Sequence, residues 1–368
     1  MFTDAIQTKQ SMYMPAMRRR IIGFWLLTGC AMVFFQVIVG GVTRLTESGL
    51  SITEWKPIKG IVPPLNEREW NEEFELYKQK AQYKSINEGM SLPEFKWIYF
   101  WEYFHRFWAR FMGIVFAIGF AFFIYKRWFD RDLILKILPL FLWGGIEGIY
   151  GWIMVSKGLK GIFVPPIHLS VHLIIALSLF AYLVWVTAYV FRGNQRFADA
   201  PKSIKNFALV ILLLLFIQVF FGGLLSGTKA GLAYPTWPDM NGQWVPSALF
   251  NEKPSAAGFL MFNAQDYWSR TLIQFVHRLT SYILIISISI FYIRSRKISA
   301  DKIFRIGLNM LPFLVLLQAT IGIITVLNCV GKIPVAWGVL HQAGAMLLIA
   351  NTVFIIFHLR NPTDISRS

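Results

Sequence analysis

Eight long apolar segments alternate along the chain with shorter polar ones. A helix that crosses a bilayer needs about 20 mainly apolar residues. Eight segments have that length: 21–40, 104–125, 133–154, 166–191, 206–226, 270–293, 305–327 and 335–358. Only 15% of the residues are charged, whereas a soluble domain has about 25%. The pattern therefore predicts an all-α polytopic membrane protein with eight transmembrane helices.

The net charge of +16 comes mainly from lysines and arginines in four short segments, 1–20, 126–136, 192–205 and 294–305. If successive helices alternate in direction, all four segments lie on the same side of the membrane. This is the positive-inside pattern, which predicts that both termini are cytoplasmic. The basic charge therefore indicates topology, and nucleic acid is not expected as a partner.

The cysteines predict no disulfide, and the N-terminal segment predicts no cleavage by signal peptidase. Cys30 lies midway along the first span and Cys329 at the outer end of the seventh, farther apart than the roughly 7 Å between Cα atoms that a disulfide allows. The first apolar run follows Arg18–Arg20 and is long enough to span, so no cleavable signal peptide is expected. We expect a multi-pass protein of a bacterial inner membrane.

The two halves of the chain repeat one another. The end of the first span and the end of the fifth share the residues Gln36, Val37, Gly40 and Gly41, matched by Gln218, Val219, Gly222 and Gly223. Later matches join His105-Arg106 with His277-Arg278, Gly151 and Val155 with Gly322 and Val326, and Pro165 and His172 with Pro334 and His341. Each half has an even number of spans, so the repeats are parallel. We therefore predict two tandem four-helix bundles, residues 1–200 and 201–368.

Two predicted outer loops are long. Residues 41–103 are rich in glutamate and predict an amphipathic, partly helical cap, whereas residues 227–269 are rich in Trp, Pro and Gly and predict an irregular segment. Loops of this length often act as functional lids. A solvated connection is an equally acceptable interpretation.

Four of the six histidines, His105, His172, His277 and His341, occupy matching positions in the second, fourth, sixth and eighth spans. Each is predicted one to two turns below the outer end of its helix, about 5–12 Å at 1.5 Å per residue. Ionisable side chains inside a membrane are costly and usually functional. Facing imidazoles in an apolar four-helix bundle suit heme iron. A histidine that only hydrogen-bonds to a neighbouring helix is the structural alternative.

Other metals and other histidines are less favoured. Zinc would need a Cys, an Asp or a third His near either pair, and none stands at the matching positions. His168 aligns with Trp337, and His358 lies at the inner end of the eighth span, so both are interpreted as structural. An electron conductor needs histidines near both membrane faces, whereas these two pairs lie side by side near the outer face. One heme can then be a cofactor and the other a substrate.

Several strings resemble the heme A synthase family, in the class found in mitochondria and related bacteria. They are Gly40–Thr46, Ser48–Ser51, Glu54–Pro57, Glu102–Arg106, Gly151–Ser156 and Tyr234–Met240, within a resemblance that runs from about residue 20 to residue 358. Two departures stand out. The first outer loop has no cysteine pair, which some members carry, and Glu147 stands where Gln is expected, aligned with Gln318.

The resemblance implies a heme b cofactor bound by His277 and His341 and a substrate heme O near His105 and His172. It implies an oxidoreductase that oxidises one heme methyl to a formyl group, through successive hydroxylations and loss of water, to give heme A for cytochrome oxidase. Expected partners are membrane lipid, heme O synthase (a farnesyltransferase) and an electron-transfer protein. Homo-oligomerisation is left open.

Glu102 completes the predicted catalytic set with His105 and His172. It stands three residues before His105, on the same helix face, and Gln274 holds the matching place before His277. Since Gln cannot take a proton, we interpret the half with Glu102 as the reacting half and the carboxylate as a proton acceptor. Pairing of Glu102 with Arg106, four residues on, is the structural alternative.

Arginines near the outer face, Arg44, Arg106 and Arg278, are candidates for bidentate contacts with heme propionates. Equally, they are candidates for snorkelling interface residues. Two other functions remain as alternatives: a diheme b-type electron-transfer cytochrome and a transporter. The transporter is disfavoured because the inner halves of the spans, such as 174–184 and 283–291, offer few polar residues.

Overall fold

The computed structural model of the chain describes residues 15–54, 62–193, 198–253 and 266–360. Of the strings used above, Trp55, Lys56 and Pro57 lie outside the described residues. The described part is overwhelmingly helical, which confirms the predicted all-α class.

Eight of the described helices are long and apolar enough to cross a membrane, as predicted. In chain order they are α1 (Ala16–Leu45), α4 (Leu92–Tyr125), α5 (Arg131–Gly158), α6 (Pro166–Arg192), α7 (Lys202–Thr228), α9 (Tyr267–Ser295), α10 (Lys302–Leu327) and α11 (Val335–Leu359). The shorter helices are α2 (Glu67–Lys78), α3 (Ala81–Ile86) and α8 (Ala248–Asn251). Two short strands, β1 (Ala198–Asp199) and β2 (Ser299–Ala300), pair antiparallel. The protein is therefore a multi-pass membrane protein.

The predicted bounds of the two long loops are wrong at their edges. The first loop, predicted as 41–103, begins only after Leu45 and ends at Ser91, because α4 starts twelve residues earlier than its apolar run. Ser91 and Glu94 form a capping box at this start, and each side chain satisfies a backbone N–H of the first turn. The second loop, predicted as 227–269, likewise loses residues at both ends to α7 and α9. Hydropathy detects the apolar part of a helix and misses turns that extend beyond it.

The first long loop forms a partly helical cap, as its glutamate-rich pattern predicted. Asn66 begins α2 by accepting a hydrogen bond from Glu69 N at 3.0 Å, the usual role of an N-cap residue. Phe74 and Tyr77 of α2 then stack on Phe95 of α4, with ring centres 4.9 and 5.3 Å apart. This aromatic cluster fixes the cap to the helix that carries His105. The described part of the second loop is largely irregular, apart from α8 and a single 3-10 turn.

Helices of each half pack mainly on one another. In the first half α1 contacts α4 and α6, and α5 contacts α6; in the second, α7 contacts α9 and α11, and α10 contacts both of them. The halves meet where α6 packs on α7 and α11, and where α1 packs on α11. The tandem-bundle repeat stays a prediction, and this arrangement of contacts agrees with it.

Glycines let the two halves approach closely. A Cβ added at Gly41 of α1 would lie 2.9 Å from Gln342 of α11, and one added at Gly223 of α7 would lie 2.9 Å from the Cα of Ser170 of α6. Gln342 also donates to Val37 O at 2.7 Å. Small residues allow such contacts in membrane helices, where association depends on close packing and hydrogen bonds.

The loops after α6 and α9 meet at one end of the molecule. β1 and β2 join them, and Arg192 at the end of α6 forms an ion pair with Asp301, the N-cap of α10. Arg192 Nε also donates to Nε2 of the buried His358, at 3.3 Å. The lysine- and arginine-rich segments around these loops thus lie on the same side of the helix layer.

Candidate functional site

The four repeated histidines lie on four different helices, His105 on α4, His172 on α6, His277 on α9 and His341 on α11. His172 and His341 each follow the first residue of their helix by six positions, as predicted. His105 follows Leu92 by thirteen positions and His277 follows Tyr267 by ten. The predicted depth of one to two turns is therefore wrong for α4 and α9, because both helices begin farther out than their apolar runs.

All four histidines line one continuous cavity of about 940 Å³, near the upper end of the size range of ligand pockets, about 300–1,000 Å³. Its walls are mainly apolar side chains of both halves. The polar groups near the histidines are Arg44, Glu102, Arg106, Arg110, Arg278, Gln36, Glu147, Gln218, Gln274 and Gln318. The cavity therefore offers an apolar space with a few directed polar groups.

His277 and His341 face one another in the second half. Their ring centres are 6.4 Å apart and their planes are inclined by 71°. Two imidazoles that bind one metal from opposite sides, each with a bond of about 2.0–2.1 Å, have ring centres about 6–6.5 Å apart. His277 Nδ1 is buried and makes no hydrogen bond within the described residues.

Each histidine packs against a glycine of the preceding membrane helix. A Cβ added at Gly40, Gly151, Gly222 or Gly322 would lie 3.0, 3.2, 3.3 or 2.8 Å from Cε1 of His105, His172, His277 or His341, respectively. Because these distances leave little or no room for a side chain, the four glycines let Cε1 of each imidazole approach the helix behind it closely. Sequence reasoning recorded these glycines as repeat matches but missed their contact with the histidines.

Each glycine follows, by four residues, a polar side chain that reaches the same histidine. Gln36 Nε2 lies 3.1 Å from His105 Nδ1, and Gln318 Nε2 lies 3.1 Å from His341 Nδ1. In the other two places Gln218 Nε2 lies 3.2 Å from His277 Nε2, and Glu147 Oε1 lies 3.0 Å from His172 Nδ1. The sequence contains this pattern, Gln or Glu followed four positions later by Gly, on the first, third, fifth and seventh membrane helices, α1, α5, α7 and α10.

Glu102 is buried, with 2% of its surface exposed, and has three hydrogen-bond donors. Its Oε2 accepts from Ser51 Oγ at 2.8 Å and from Ile52 N at 2.7 Å, and its Oε1 accepts from Arg106 Nη2 at 2.5 Å. Pairing of Glu102 with Arg106 is the structural alternative that the sequence offered to a proton-acceptor role. Glu102 thus ties the start of the first long loop to α4 at the wall of the cavity.

Gln274 has the corresponding position in the second half and ties down the second long loop. It is 1% exposed and donates to Tyr234 O at 2.9 Å. Arg278 donates to the same carbonyl at 2.9 Å and to Asp239 O at 2.7 Å. Both halves therefore use the side chains three before and one after the histidine to hold a loop over the cavity.

Arg44 acts between the halves. Its Nη2 donates to Ser226 O at 2.8 Å and to Gly227 O at 3.2 Å, at the last turn of α7. Cations are favourable at this end of a helix because the carbonyl groups carry partial negative charge. Next to it, Lys229 forms an ion pair with Glu47. Neither contact was predicted, because the partners lie far apart in sequence.

Of the two other histidines, His358 was described above, and Nδ1 of His168 lies 3.0 Å from the hydroxyl oxygen of Tyr150. Among the described residues there is no cluster of three or more His, Cys, Asp or Glu side chains able to hold a metal ion. Cys30 and Cys329 are both buried and free. The repeated histidine pairs are therefore the metal-ligand candidates that the described residues provide.

Comparison with known proteins shows the family of this chain. Residues 23–353 match the model of the cytochrome oxidase assembly protein family. The chain is 40% identical to a heme A synthase of Nitrosospira multiformis over 92% of this chain and 93% of that protein. It is 38% identical to a heme A synthase of a Caulobacter species, over 94% and 98% of the two chains. This protein therefore belongs to the heme A synthase family.

Proposed function

We propose that this protein is a heme A synthase, an oxidoreductase that converts a methyl group of heme O into the formyl group of heme A. The observation that carries the proposal is the fourfold arrangement in one cavity, where each repeated histidine has a glycine behind it and a Gln or Glu beside it. The relatives named heme A synthase support the same reaction. Four metal ligands in two pairs suit one cofactor heme and one substrate heme.

We propose that the second half, residues 201–368, binds heme b through His277 and His341. Three features fit this group: the ring separation of 6.4 Å, the unpartnered Nδ1 of His277, and the space that Gly222 and Gly322 leave behind the rings. When bound, heme b supplies one-electron redox chemistry beside the substrate. Gln274 and Arg278 hold the second long loop over this end of the cavity and exclude water from it.

We place the substrate in the first half, residues 1–200, with His105 and His172 as ligands of its iron. With water as the source of the formyl oxygen, oxidation of the methyl group releases four electrons and four protons, and a carboxylate at the cavity wall can accept the protons one at a time. Glu102 is suited to this role because Gln274 replaces it in the half that only binds a cofactor. Its three donors mean that the same residue also closes the loop over the cavity.

Arg106 and Arg278 line the cavity, and we propose that they also contact heme propionates. A guanidinium has five donors and is suited to bidentate contact with a carboxylate. Arg106 binds Glu102 and Arg278 binds the carbonyls of the second loop, so both guanidinium groups are held at the cavity wall. On this basis the arginines orient both hemes with their propionates toward the long loops.

We also propose the membrane, the orientation and the partners of this protein. We propose that the protein lies in a bacterial inner membrane with both termini in the cytoplasm, supported by the lysine and arginine segments that meet at one end of the molecule. Heme O is apolar, so it is expected to come from a membrane-bound heme O synthase, a farnesyltransferase. An electron-transfer protein is expected to accept the electrons.

Extraction and identification of the pigments of the purified protein tests this function. We expect heme b together with heme A or a hydroxylated heme O. Two hemes of type b, unchanged after incubation with heme O and an electron acceptor, would instead support the alternative, a diheme electron-transfer cytochrome. This alternative is supported by the matching glycine contacts of all four histidines.

A further inference from the structure

Glu147 is the exception among the four side chains that accompany the histidines. Amides of Gln36, Gln218 and Gln318 lie beside three of the imidazoles, whereas a carboxylate lies beside His172. Glu147 Oε1 is 3.0 Å from His172 Nδ1, and both side chains are 19% exposed. The chain therefore has one carboxylate–histidine contact, in the first half, among four otherwise similar positions.

A buried acid such as Glu147 can also be stabilised by pairing with a lysine or an arginine. Among the described residues, however, its ion-pair partner is His172. Its second oxygen, Oε2, is buried and makes no hydrogen bond to the described residues. The acid therefore has one oxygen beside the histidine and one buried oxygen without a hydrogen-bond donor among the described residues.

We propose that Glu147 is a positioning residue that holds His172 with Nε2 free to bind the iron of the substrate heme. This inference rests on the proposed function, in which His172 is an iron ligand. A neutral imidazole carries one proton, so an imidazole that binds metal through Nε2 has its proton on Nδ1. On binding the heme, the ring turns so that this proton is donated to Glu147 Oε1. The two atoms are already within hydrogen-bond distance, although the angle in this structure is too bent for a hydrogen bond.

A carboxylate partner changes the ligand as well as its orientation. Carboxylates are stronger hydrogen-bond acceptors than amides, and such a partner raises the basicity of a metal-bound imidazole. A more basic ligand favours ferric over ferrous iron. Two hemes held by matching histidines would therefore differ in reduction potential because one histidine is paired with Glu147 and its counterpart His341 with Gln318.

The reciprocal exchange Glu147→Gln and Gln318→Glu tests this inference in the full-length protein. Purified protein is titrated with hemin until both sites are filled, and the reduction of each heme is followed by its visible absorption. The wave lost in His172→Ala identifies the first-half site. Loss of such a partner changes metal affinity about 10-fold or more, and a tenfold change in the ferric preference corresponds to about 59 mV for one electron.

We expect Glu147→Gln to raise the potential of the first-half heme by about this amount and to leave the other heme unchanged. Gln318→Glu should lower the potential of the second-half heme and leave the first unchanged. Unmoved potentials in both variants, with both hemes bound, would overturn the inference while leaving the proposed function intact. If His172→Ala removed no wave, the ligand assignment itself would be wrong. Should Glu147→Gln fail to fold, Glu147→Asp, which keeps the charge and lengthens the contact, and Gln318→Glu still decide the question.

Discussion

The imidazoles of the four repeated histidines are held by local contacts that differ only in detail. Each has a glycine against Cε1 and a Gln or Glu near one nitrogen, both from the preceding membrane helix. Four residues separate the polar side chain from the glycine because this spacing places both on one face of a helix. Ligand orientation therefore depends on pairs of helices, and a change in either helix should affect the bound heme.

Removing either second-half histidine should release the cofactor. We expect His277→Ala and His341→Ala to lose most or all of the tightly bound heme b, since each variant removes one of two facing ligands. The measurement is the absorption spectrum of purified protein together with its heme content. A full complement of unchanged low-spin heme b in either variant would refute the assignment, and His358→Ala serves as a control for the loss of a buried histidine.

Glu102 and Gln274 allow a matched comparison between the halves. We expect Glu102→Gln to keep the fold and heme b but to reduce heme A formation to little or none, because Gln cannot accept a proton. Gln274→Glu would remove the donor to Tyr234 O and is expected to loosen the second loop, so Glu67→Gln on the exposed face of α2 is the control and should leave heme A formation unchanged. The measurement is the heme A to heme b ratio of each purified variant.

The two roles of Glu102 are separable by the same variants. If Glu102 acts only by anchoring the loop at Ser51 and Ile52, Gln, which keeps an acceptor oxygen, should retain much of the activity, and Glu102→Ala should lose it. Normal heme A formation by Glu102→Gln would thus remove the proton-acceptor role and leave the anchor.

Helix packing between the halves depends on backbone contact at α7 and α6. A Cβ added at Gly227 would lie 2.8 Å from the Cα of Pro166, where no side chain can move aside. Arg44 binds the carbonyl of the same residue, so the last turn of α7 is held from two sides. The interface therefore tolerates little change in volume.

Gly227→Val should destabilise this interface. Overpacking typically costs about 1–3 kcal/mol, and we expect a lower melting temperature in detergent than for the unchanged protein. Gly145→Val is the matched control, since an added Cβ at Gly145 meets no atom within 4 Å. Equal melting temperatures for the two variants would show that the close contact does not limit stability.

At the level of the complete chain, the short basic loops predict the orientation in the membrane. The lysine- and arginine-rich loops after α6 and α9 are joined by β1, β2 and the Arg192–Asp301 ion pair, and the loop between α4 and α5 has the same character. The long loops with Glu102 and Gln274 contacts lie at the opposite ends of the helices. The positive-inside rule then predicts that these three short basic loops lie on the cytoplasmic side.

Reporter fusions test this orientation. A fusion at residue 130, between α4 and α5, should report a cytoplasmic location, and one at residue 243, in the second long loop, should report the outer side. A reporter at residue 130 that is active only outside the cytoplasm would reverse the topology and move both histidine pairs to the cytoplasmic half of the membrane.

The number of membrane helices and the repeated histidines were predictable from the chain itself, because one depends on apolar length and the other on text repeated between the halves. The family resemblance rests on specific sequence strings. Apolar length defines a span, and repeated text reveals matching positions such as His105 and His277. By contrast, the start of α4 at Leu92 was missed, because its first turns are capped and packed by the loop helix α2 instead of being embedded in apolar surroundings.

Contacts between distant residues required the tertiary structure. Sequence spacing placed Glu102 on the face of His105 and Arg106, but its bonds to Ser51 and Ile52 come from a loop about fifty residues away. The same holds for Arg44 on the end of α7 and for Glu147 beside His172. Hydropathy and periodicity describe which face of a helix is apolar, whereas the partner of that face depends on how eight helices pack together, and that packing decides what each polar side chain in the cavity contacts.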